Sequence, residues 1–331
     1  MQSTIKAMGI AALALSLSAC DILEMAALKI LTTFVNPITP EEGETVVETD
    51  AEPFVVSALL DGLSFPWGLA FLPDASMLIS ERSGALKHFN PKSGEVVEIA
   101  GIPDIHYQSQ GGLLDVALHP NFANNQWVYL TFAAPMGDGL STTRLVRAKL
   151  VGDKLHNVET LFTPEPAQSK SKHYGGAMLF GQDGKLYLTV GERGDRRFSQ
   201  RLDVHLGKIL RLNADGSPAA GNPYISNNDA KPEIYSYGHR NPQGIAQDTK
   251  TGTIWAAEHG PKGGDEVNVI KPAANYGWPV ITYGEEYQGG KIGEGTHKEG
   301  MEQPLHYYVP SIATAGLAYY NHEAIPAWRN S

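Results

Sequence analysis

The chain has 331 residues, of which 42% are hydrophobic, and a formal net charge of -10 at pH 7. Nucleic-acid-binding proteins normally present a basic face, so this composition argues against that class and we expect no nucleic-acid partner. The 35 glycines and 21 prolines favour a turn-rich, all-β protein over a helical one. The length allows one large β-domain or two smaller ones.

The amino terminus has the pattern of a bacterial secretion signal. Lys6 supplies positive charge, and residues 10–17 form an apolar stretch that is too short for a stable membrane span. The following Leu17-Ser-Ala-Cys20 resembles a lipobox, so residues 1–20 are predicted to be a lipoprotein signal peptide with Cys20 as the lipidated residue. The alternative is an ordinary signal peptide with an incidental cysteine. Cys20 is the only cysteine, so the exported part has no disulfide.

Residues 21–52 are predicted to be a flexible tether. Pro37, Pro40 and the acidic stretch 41–50 offer little apolar surface to bury. No apolar run after residue 20 is long enough to cross a bilayer, so the lipid anchor is the only membrane contact we expect. Asp21 resembles the retention signal of enteric lipoproteins. The expected location is the periplasmic face of a bacterial membrane, with the inner membrane favoured.

The part from Pro53 onward contains a repeated pattern. Four segments each have a glycine, a short apolar strand, a Pro/Asp/Gly turn and a second strand. They begin at Gly68, Gly112, Gly176 and Gly244. Repeated strand-turn-strand units with variable insertions are typical of a β-propeller.

The second strand of three repeats ends in a glutamate, at Glu81, Glu192 and Glu258. Equivalent strand ends in a propeller face a common mouth, so we expect these side chains to converge there. A fifth unit begins near Gly316 and is half complete at Ser331. Because an open blade edge leaves unpaired backbone groups, we expect residues 53–331 to be a propeller domain that is incomplete at its carboxyl end.

A histidine and a carboxylate lie at adjacent strand ends in the third repeat. His173 precedes the first strand, and Glu192 follows nineteen residues later, near the end of the second. A hairpin would bring the two together, and a carboxylate that fixes the tautomer of a histidine makes it a general base. The alternative is a surface histidine beside a structural glutamate.

Two further strings carry polar groups ahead of or after strands of the fourth repeat. Arg240 offers a planar fork for a carboxylate or a quinone oxygen, and Asn241 adds an amide donor. An arginine that only fixes a loop is equally compatible with this string. Residues 258–268 mix carboxylates with glycines, a combination that hard cations such as calcium prefer. A solvated acidic turn is the alternative there.

Five strings together resemble the glucose/sorbosone dehydrogenase family, and within it the soluble aldose sugar dehydrogenases that use pyrroloquinoline quinone (PQQ). The strings are residues 111–120, 207–213, 238–244, 259–268 and 275–279. The resemblance extends from about residue 60 to the end of the sequence. It implies a six-bladed β-propeller with PQQ in a cleft over the central mouth.

The resemblance also implies roles for individual residues. His173 matches the base that takes the proton of the anomeric hydroxyl while hydride passes to PQQ, and Glu192 matches the acid that orients it. The residues that match those around the cofactor and sugar are Gln110, Arg240, Asn241 and Tyr287. Those that match calcium ligands are Gly260 and Pro261, through their carbonyls at a PQQ-bound calcium, and Glu266 and Tyr276 at a second calcium.

The favoured function is a membrane-tethered, periplasmic dehydrogenase that oxidises aldoses to lactones and passes electrons to an acceptor that the sequence does not identify. The family places further cationic PQQ ligands in segments beyond residue 331. The alternative is therefore a cofactor-free propeller lipoprotein that binds carbohydrate or protein. A propeller lactonase or other hydrolase with catalytic calcium is a third possibility, which does not account for the five strings.

Overall fold

The computed structural model describes residues 44–49 and 53–329. It separates into two compact units, one spanning residues 62–319 and the other holding the described residues up to 61 together with residues 320–329. Cys20 and the predicted signal peptide lie outside the described residues. Within those residues, no helix combines the length and the apolar character that a membrane span requires.

The smaller unit contains an antiparallel hairpin. Strand β1 (Glu44–Val47) pairs with β2 (Phe54–Ser57). The ring of Phe54 packs edge-on against Trp328, in the short 3₁₀ turn Pro326–Trp328, with 4.9 Å between centroids. β1 falls within residues 21–52, the segment predicted to be a flexible tether. Residues 44–47 of that segment are paired with β2.

The larger unit contains four antiparallel sheets, each of four strands in sequential order. The first comprises β3 (Pro66–Phe71), β4 (Met77–Glu81), β5 (Leu86–Asn90) and β6 (Glu95–Glu98). The second comprises β7 (Leu113–Leu118), β8 (Trp127–Pro135), β9 (Ser141–Val151) and β10 (Lys154–Phe162), with the one-turn helix α1 (Phe122–Asn125) between β7 and β8. The third comprises β11 (Gly175–Phe180), β12 (Leu186–Val190), β13 (Lys208–Leu212) and β14 (Ile234–Tyr237), with a 3₁₀ turn at Arg196–Phe198. The fourth comprises β15 (Pro242–Gln247), β16 (Ile254–Glu258), β17 (Asp265–Ile270) and β18 (His306–Tyr308).

Four sequential meanders whose first strands adjoin one another form an all-β propeller, as the repeats predict. The predicted count of six blades is not confirmed, since four blades are present in the described part of the chain. Residues 309–329, where a fifth unit is expected, contain no strand.

Alternating side chains on the strands fill the spaces between blades. On β8, Val128 and Leu130 pack toward Leu78 of the first blade, whereas Tyr129 packs toward Leu186 of the third. Successive side chains of a strand point to opposite faces of the sheet, so both faces of the second blade are buried. Each such apolar side chain stabilises the fold by roughly 1.5–3 kcal/mol, so the contacts between blades hold their strand ends in a fixed relation.

Hydroxyl groups join the first strands of successive blades. Each first strand contains a β-bulge, which leaves backbone groups outside the ladder. A Ser or Thr opposite the bulge accepts from an amide of its own first strand and donates to a carbonyl of the next blade's first strand. These side chains are Ser80 (from Gly68, to Leu114), Thr131 (from Asp115 at 3.0 Å, to Gly176 at 2.6 Å) and Thr189 (from Ala177 at 3.0 Å, to Pro242 at 2.9 Å). These hydrogen bonds fix the first strands of successive blades relative to one another, and the candidate site lies at the starts of those strands.

Candidate active site

His173 and Glu192 form a buried hydrogen-bonded pair. Nδ1 of His173 lies 3.0 Å from Oε1 of Glu192, and the imidazole residue is 7% exposed. The pair depends on a close approach of two chain segments, because a Cβ at Gly191 would lie 2.1 Å from the carbonyl oxygen of His173. Only glycine fits at that position. The hairpin predicted from the sequence therefore does bring these two side chains together.

The surroundings of His173 keep its ring neutral. Burial lowers the pKa of His173, the hydrogen bond to Glu192 opposes that effect, and the charge of Arg240 adds to it. Since an ionised carboxylate can only accept, Nδ1 of the neutral ring carries the proton. Nε2 is then left with a lone pair, as a general base requires.

Two amide side chains fix the loop around His173. Oε1 of Gln110 accepts from the amide of His173 at 2.8 Å, and Oδ1 of Asn241 accepts from the amide of Gly175 at 3.1 Å. Gln110 belongs to the second blade and Asn241 to the fourth. Both predicted site residues thus reach the third-blade loop from opposite sides.

Arg193 is a fully buried cation beneath the same loop. Its guanidinium lies 3.6 Å from the ring centroid of Tyr174. It donates to the backbone carbonyls of Ser141, Lys170 and Lys172. Its amide also donates to the carbonyl of His173 at 3.2 Å. Arg193 is not among the site residues predicted from the sequence, where its position directly after Glu192 is the one feature that could have drawn attention to it.

A second histidine–glutamate pair occurs in the fourth blade with the same spacing. Nδ1 of His239 lies 3.1 Å from Oε1 of Glu258. Nε2 of His239 contacts the hydroxyl of Ser236 at 2.9 Å, and the ring stacks on Tyr276 with 4.6 Å between centroids. Both ring nitrogens of His239 are occupied, so this pair is structural. His173 is the histidine of the two with a nitrogen available for a substrate.

Arg240 lies between the fourth-blade pair and the site. Its amide donates to Oε2 of Glu258 at 2.8 Å, and Nη1 donates to the carbonyl of His259 at 3.0 Å. Nη2 reaches the hydroxyl of Tyr287 at 3.3 Å. Tyr287 is otherwise exposed. The residue before it, Glu286, forms an ion pair with Arg196. The structure therefore places all six predicted base, cofactor and sugar residues around one region.

Buried polar atoms without partners concentrate in this region. Among the described residues, the atoms of this kind that surround Arg240 and His173 are Glu192 Oε2, Arg240 Nε, His259 Nε2 and Trp278 Nε1. An unsatisfied buried polar group costs about 1–3 kcal/mol, so proteins rarely leave several together. Such a concentration indicates that a polar ligand binds here. His259 and Trp278 were not selected as site residues from the sequence.

The predicted calcium ligands lie in two places near Glu258. Gly260 is held by a 2.8 Å bond from its amide to Asp265, at the start of a tight loop that includes Pro261. Burial and the charge of Glu258 raise the pKa of Glu266 to about 8. The hydroxyl of Tyr276 donates to the carbonyl of Val269, so that only its backbone oxygen remains as a ligand. Within the described ranges, no three His, Cys, Asp or Glu side chains are grouped to hold a metal ion.

The fold and this site define a class, a β-propeller with a buried histidine–carboxylate pair at its strand ends. The chain belongs to the glucose/sorbosone dehydrogenase family, whose model matches residues 63–331. It is 40% identical over 279 residues to the aldose sugar dehydrogenase YliI of Escherichia coli (strain K12), an alignment that covers 83% of this chain and 75% of that protein.

Solved structures show the same relationship. The apo-form soluble aldose sugar dehydrogenase from Escherichia coli matches with a TM-score of 0.80 and 39% identity, over 82% of this chain and 80% of that one. The PQQ-bound aldose sugar dehydrogenase from Streptomyces coelicolor matches with a TM-score of 0.67 and 34% identity, over 85% and 77%.

Proposed function

We propose that this protein is a PQQ-dependent aldose sugar dehydrogenase that oxidises aldoses at the anomeric carbon to lactones. The observation that carries the proposal is the His173–Glu192 pair, which faces a region where buried polar atoms lack partners. The names of the relatives support the reaction class, and the PQQ-bound relative supports the cofactor.

The role of His173 follows from its tautomer. Nε2 accepts the proton of the anomeric hydroxyl as the hydrogen on the anomeric carbon departs as hydride, and the carbon–oxygen bond becomes the lactone carbonyl. Glu192 stabilises the imidazolium that forms, through the hydrogen bond to Nδ1. The chemistry that PQQ supplies when bound is acceptance of that hydride.

The donors around Arg240 fit an oxygen-rich planar quinone. Arg240 Nε, His259 Nε2 and Trp278 Nε1 are buried without partners among the described residues, and each can donate to a carboxylate or quinone oxygen. Asn241 uses its oxygen on Gly175, which leaves its NH₂ group as a further donor. We assign these groups, with Gln110 and Tyr287, to holding PQQ.

Calcium is proposed at two sites. The carbonyls of Gly260 and Pro261 would hold a calcium next to PQQ, and the carboxylate of Glu266 with the carbonyl of Tyr276 would hold another. Support for the second site comes from the raised pKa of Glu266, since the carboxylates of Glu258 and Glu266 both accept from the side-chain amide of Asn268 and repel each other. A divalent cation would relieve that repulsion.

The cellular setting is proposed from the sequence alone. Cys20 would anchor the protein by lipid to the periplasmic face of the membrane, where an unidentified acceptor would take the electrons. Metabolic labelling with a palmitate analogue tests the anchor. Label should enter the wild-type chain and be absent from Cys20→Ala, and equal labelling of both would contradict the assignment.

The proposed reaction is tested by adding PQQ and calcium to the full-length protein and following dye reduction with glucose. We expect glucose-dependent reduction that is lost in His173→Ala. An absorbance titration with PQQ separates the dehydrogenase from a cofactor-free binding protein, because only the dehydrogenase should bind PQQ. The absence of a sugar-dependent signal, or full activity in His173→Ala, would overturn the proposal.

A further inference from the structure

Asp265 is a buried carboxylate next to the loop that carries Gly260 and Pro261. It is the first residue of β17, and 0% of its surface is exposed. Its Oδ1 accepts from the amide of Gly260 at 2.8 Å. The carbonyls of Gly260 and Pro261 are the groups proposed to hold a calcium next to PQQ. We call residues 259–264, which directly precede Asp265, the candidate calcium loop.

The other oxygen of Asp265 binds a second segment of the chain. Oδ2 accepts from three successive backbone amides, those of Ile312 at 3.0 Å, Ala313 at 2.6 Å and Thr314 at 3.4 Å. Ala313 has a φ of 58°, in the left-handed region, and turns of this kind direct consecutive N–H groups at one anion. The anion here is a side chain of the same protein. Asp265 therefore joins this segment to the candidate calcium loop.

The hydrogen bonds of Asp265 leave it no capacity to bind calcium itself. A carboxylate has about four lone-pair sites, and Asp265 accepts four bonds from backbone amides. Its neighbour Glu266 points to the opposite face of the strand, where it shares Asn268 with Glu258. Any effect of Asp265 on a calcium at Gly260 must therefore pass through the backbone of the loop.

Close backbone contacts hold the loop in one path. A Cβ at Gly260 would lie 2.3 Å from the carbonyl oxygen of Gly264, and one at Gly284 would lie 2.3 Å from that of Gly263. The amide of Gly264 donates to the carbonyl of Tyr308 at 2.8 Å. The loop packs closely on itself and on its neighbours, so a displacement at the Asp265 contact is transmitted to the rest of the loop.

One peptide group connects Asp265 to both parts of the proposed cofactor site. The N–H of Gly260 donates to Asp265, and the carbonyl of His259, in the same peptide, accepts from Nη1 of Arg240 at 3.0 Å. A peptide group is planar and rigid, so a hydrogen bond on one edge fixes the direction of the bond on the other. Asp265 thereby fixes the guanidinium of Arg240 as well as the backbone of Gly260.

We infer that Asp265 is a positioning residue for the cofactor site, which holds the calcium-binding carbonyls and the guanidinium of Arg240 in place through the backbone of the candidate calcium loop. The inference rests on the proposed function of the same site. Without the carboxylate, the amides of Gly260 and of residues 312–314 lose their acceptors and the loop relaxes. Calcium and PQQ then bind more weakly, as metals do when a partner that orients their ligands is removed.

The first test follows the absorbance of PQQ bound to the full-length protein as calcium is added. Asp265→Asn keeps the shape of the side chain but turns an NH₂ group toward amides that also donate. The calcium concentration for half-maximal PQQ binding should therefore rise by about 10- to 100-fold. An unchanged calcium dependence in Asp265→Asn would overturn the inference.

Glu81→Gln is the matched control for this test. Glu81 is a buried carboxylate at a strand end of the first blade, where it accepts from the amide of Ser64 at 2.7 Å. Its replacement should lower the melting temperature but leave the calcium concentration for half-maximal PQQ binding within about twofold, because distant sites act independently. A rise in Glu81→Gln equal to that in Asp265→Asn would show that lost stability alone weakens binding, and would also overturn the inference.

A milder pair of variants changes the same contact from its other side. Ala313 is exposed, so its replacement leaves the core intact. Ala313→Val puts a β-branched residue at a φ of 58°, where it is strained, and should turn the amide away from Asp265, whereas Ala313→Gly tolerates this conformation. Ala313→Val should raise the calcium concentration for half-maximal PQQ binding and Ala313→Gly should leave it unchanged. Equal values in the two variants would contradict the role of the contact.

Hydrogen exchange of the protein without PQQ and calcium tests the anchor independently of the proposed function. Peptides covering residues 259–264 and 309–316 should exchange faster in Asp265→Asn than in the wild type or in Glu81→Gln, while peptides of β12 should exchange at the same rate in all three. Equal exchange of the two segments in all three proteins would refute the positioning role. If the wild type binds no PQQ, the proposed function fails, whereas the exchange rates still decide whether Asp265 holds the loop.

Discussion

The amide of Glu192 donates a 2.9 Å hydrogen bond to the carbonyl of Arg240. Glu192 orients the candidate base His173 in the third blade, and Arg240 is the candidate cofactor ligand at the start of the fourth. This backbone hydrogen bond fixes the positions of Glu192 and Arg240 relative to one another across the boundary between the two blades. Thr189, which binds the carbonyl of Pro242 at 2.9 Å, holds the same boundary a few residues away.

Replacing His173 should separate catalysis from stability. His173→Gln removes the proton acceptor, so kcat should fall by about 10²- to 10⁴-fold while the melting temperature changes little. His239→Gln is the matched comparison, since it removes the buried bonds to Glu258 and Ser236 and should chiefly lower the melting temperature. A His173→Gln variant that keeps wild-type kcat would contradict the assignment of the base.

The pH dependence of kcat/KM should reflect the lowered pKa of His173. Burial holds the pKa below its ordinary value of 6.5, so the neutral base persists as pH falls and the acid limb should lie below 6.5. Glu192→Gln removes the charge of Glu192 and weakens its hydrogen bond, the two interactions with Glu192 that raise the pKa of His173. Its acid limb should move to still lower pH, while kcat falls by about tenfold or more because the imidazolium loses its counter-charge. An acid limb that moves to higher pH in Glu192→Gln would show that the carboxylate acts differently.

Arg193 should act as a positioning residue for His173. Arg193→Lys keeps the charge but loses the fork that binds three carbonyls, so it should destabilise the fold by about 2–3 kcal/mol and lower kcat by about tenfold with little change in KM. The pH profile of kcat/KM distinguishes positioning from stability, because a purely structural role of Arg193 would leave that profile unchanged. Its acid limb should shift in Arg193→Lys, because the loop and the His173–Glu192 distance relax. An unchanged pH profile with unchanged kcat would restrict Arg193 to stability.

Glu266 should make the calcium-free protein less stable at higher pH. Its pKa is raised to about 8 in the folded protein, from the ordinary value of 4.5 that applies when the chain is unfolded. The folded state therefore binds the proton more strongly, and stability falls as pH rises from about 4.5 to about 8. Melting temperatures in EDTA should show this fall, by about 5 °C or more, and Glu266→Gln or added calcium should remove it. An identical pH dependence in Glu266→Gln would place the effect elsewhere.

The blades and the His173–Glu192 contact were predictable because both follow from local sequence. Alternating apolar residues and glycine turns define hairpins, and a hairpin brings His173 to Glu192 regardless of the rest of the chain. Glu81, the strand-end glutamate of the first blade, has different partners from Glu192 and Glu258. Glu81 binds Lys87 at 2.8 Å and the amide of Ser64 at 2.7 Å, because its blade has no histidine at the equivalent place.

The remaining site residues depend on contacts that are distant in sequence. Arg193 is buried because carbonyls from Ser141 and the 170–172 loop surround it, a set that no local pattern encodes. The orphan nitrogens of His259 and Trp278 likewise arise from how the fourth-blade loops fold. The number of blades also could not be read from the repeats alone.

His173 is proposed to remove a proton from a sugar while the anomeric hydrogen leaves as hydride. The most direct measurement is anaerobic stopped-flow absorbance of the PQQ- and calcium-loaded protein mixed with glucose or with glucose deuterated at the anomeric carbon. We predict sugar-dependent reduction of the quinone that is slower with the deuterated sugar and is lost in His173→Gln, although that variant still binds PQQ. Reduction at the wild-type rate in His173→Gln, or no sugar-dependent change in the loaded wild type, would contradict this role of His173.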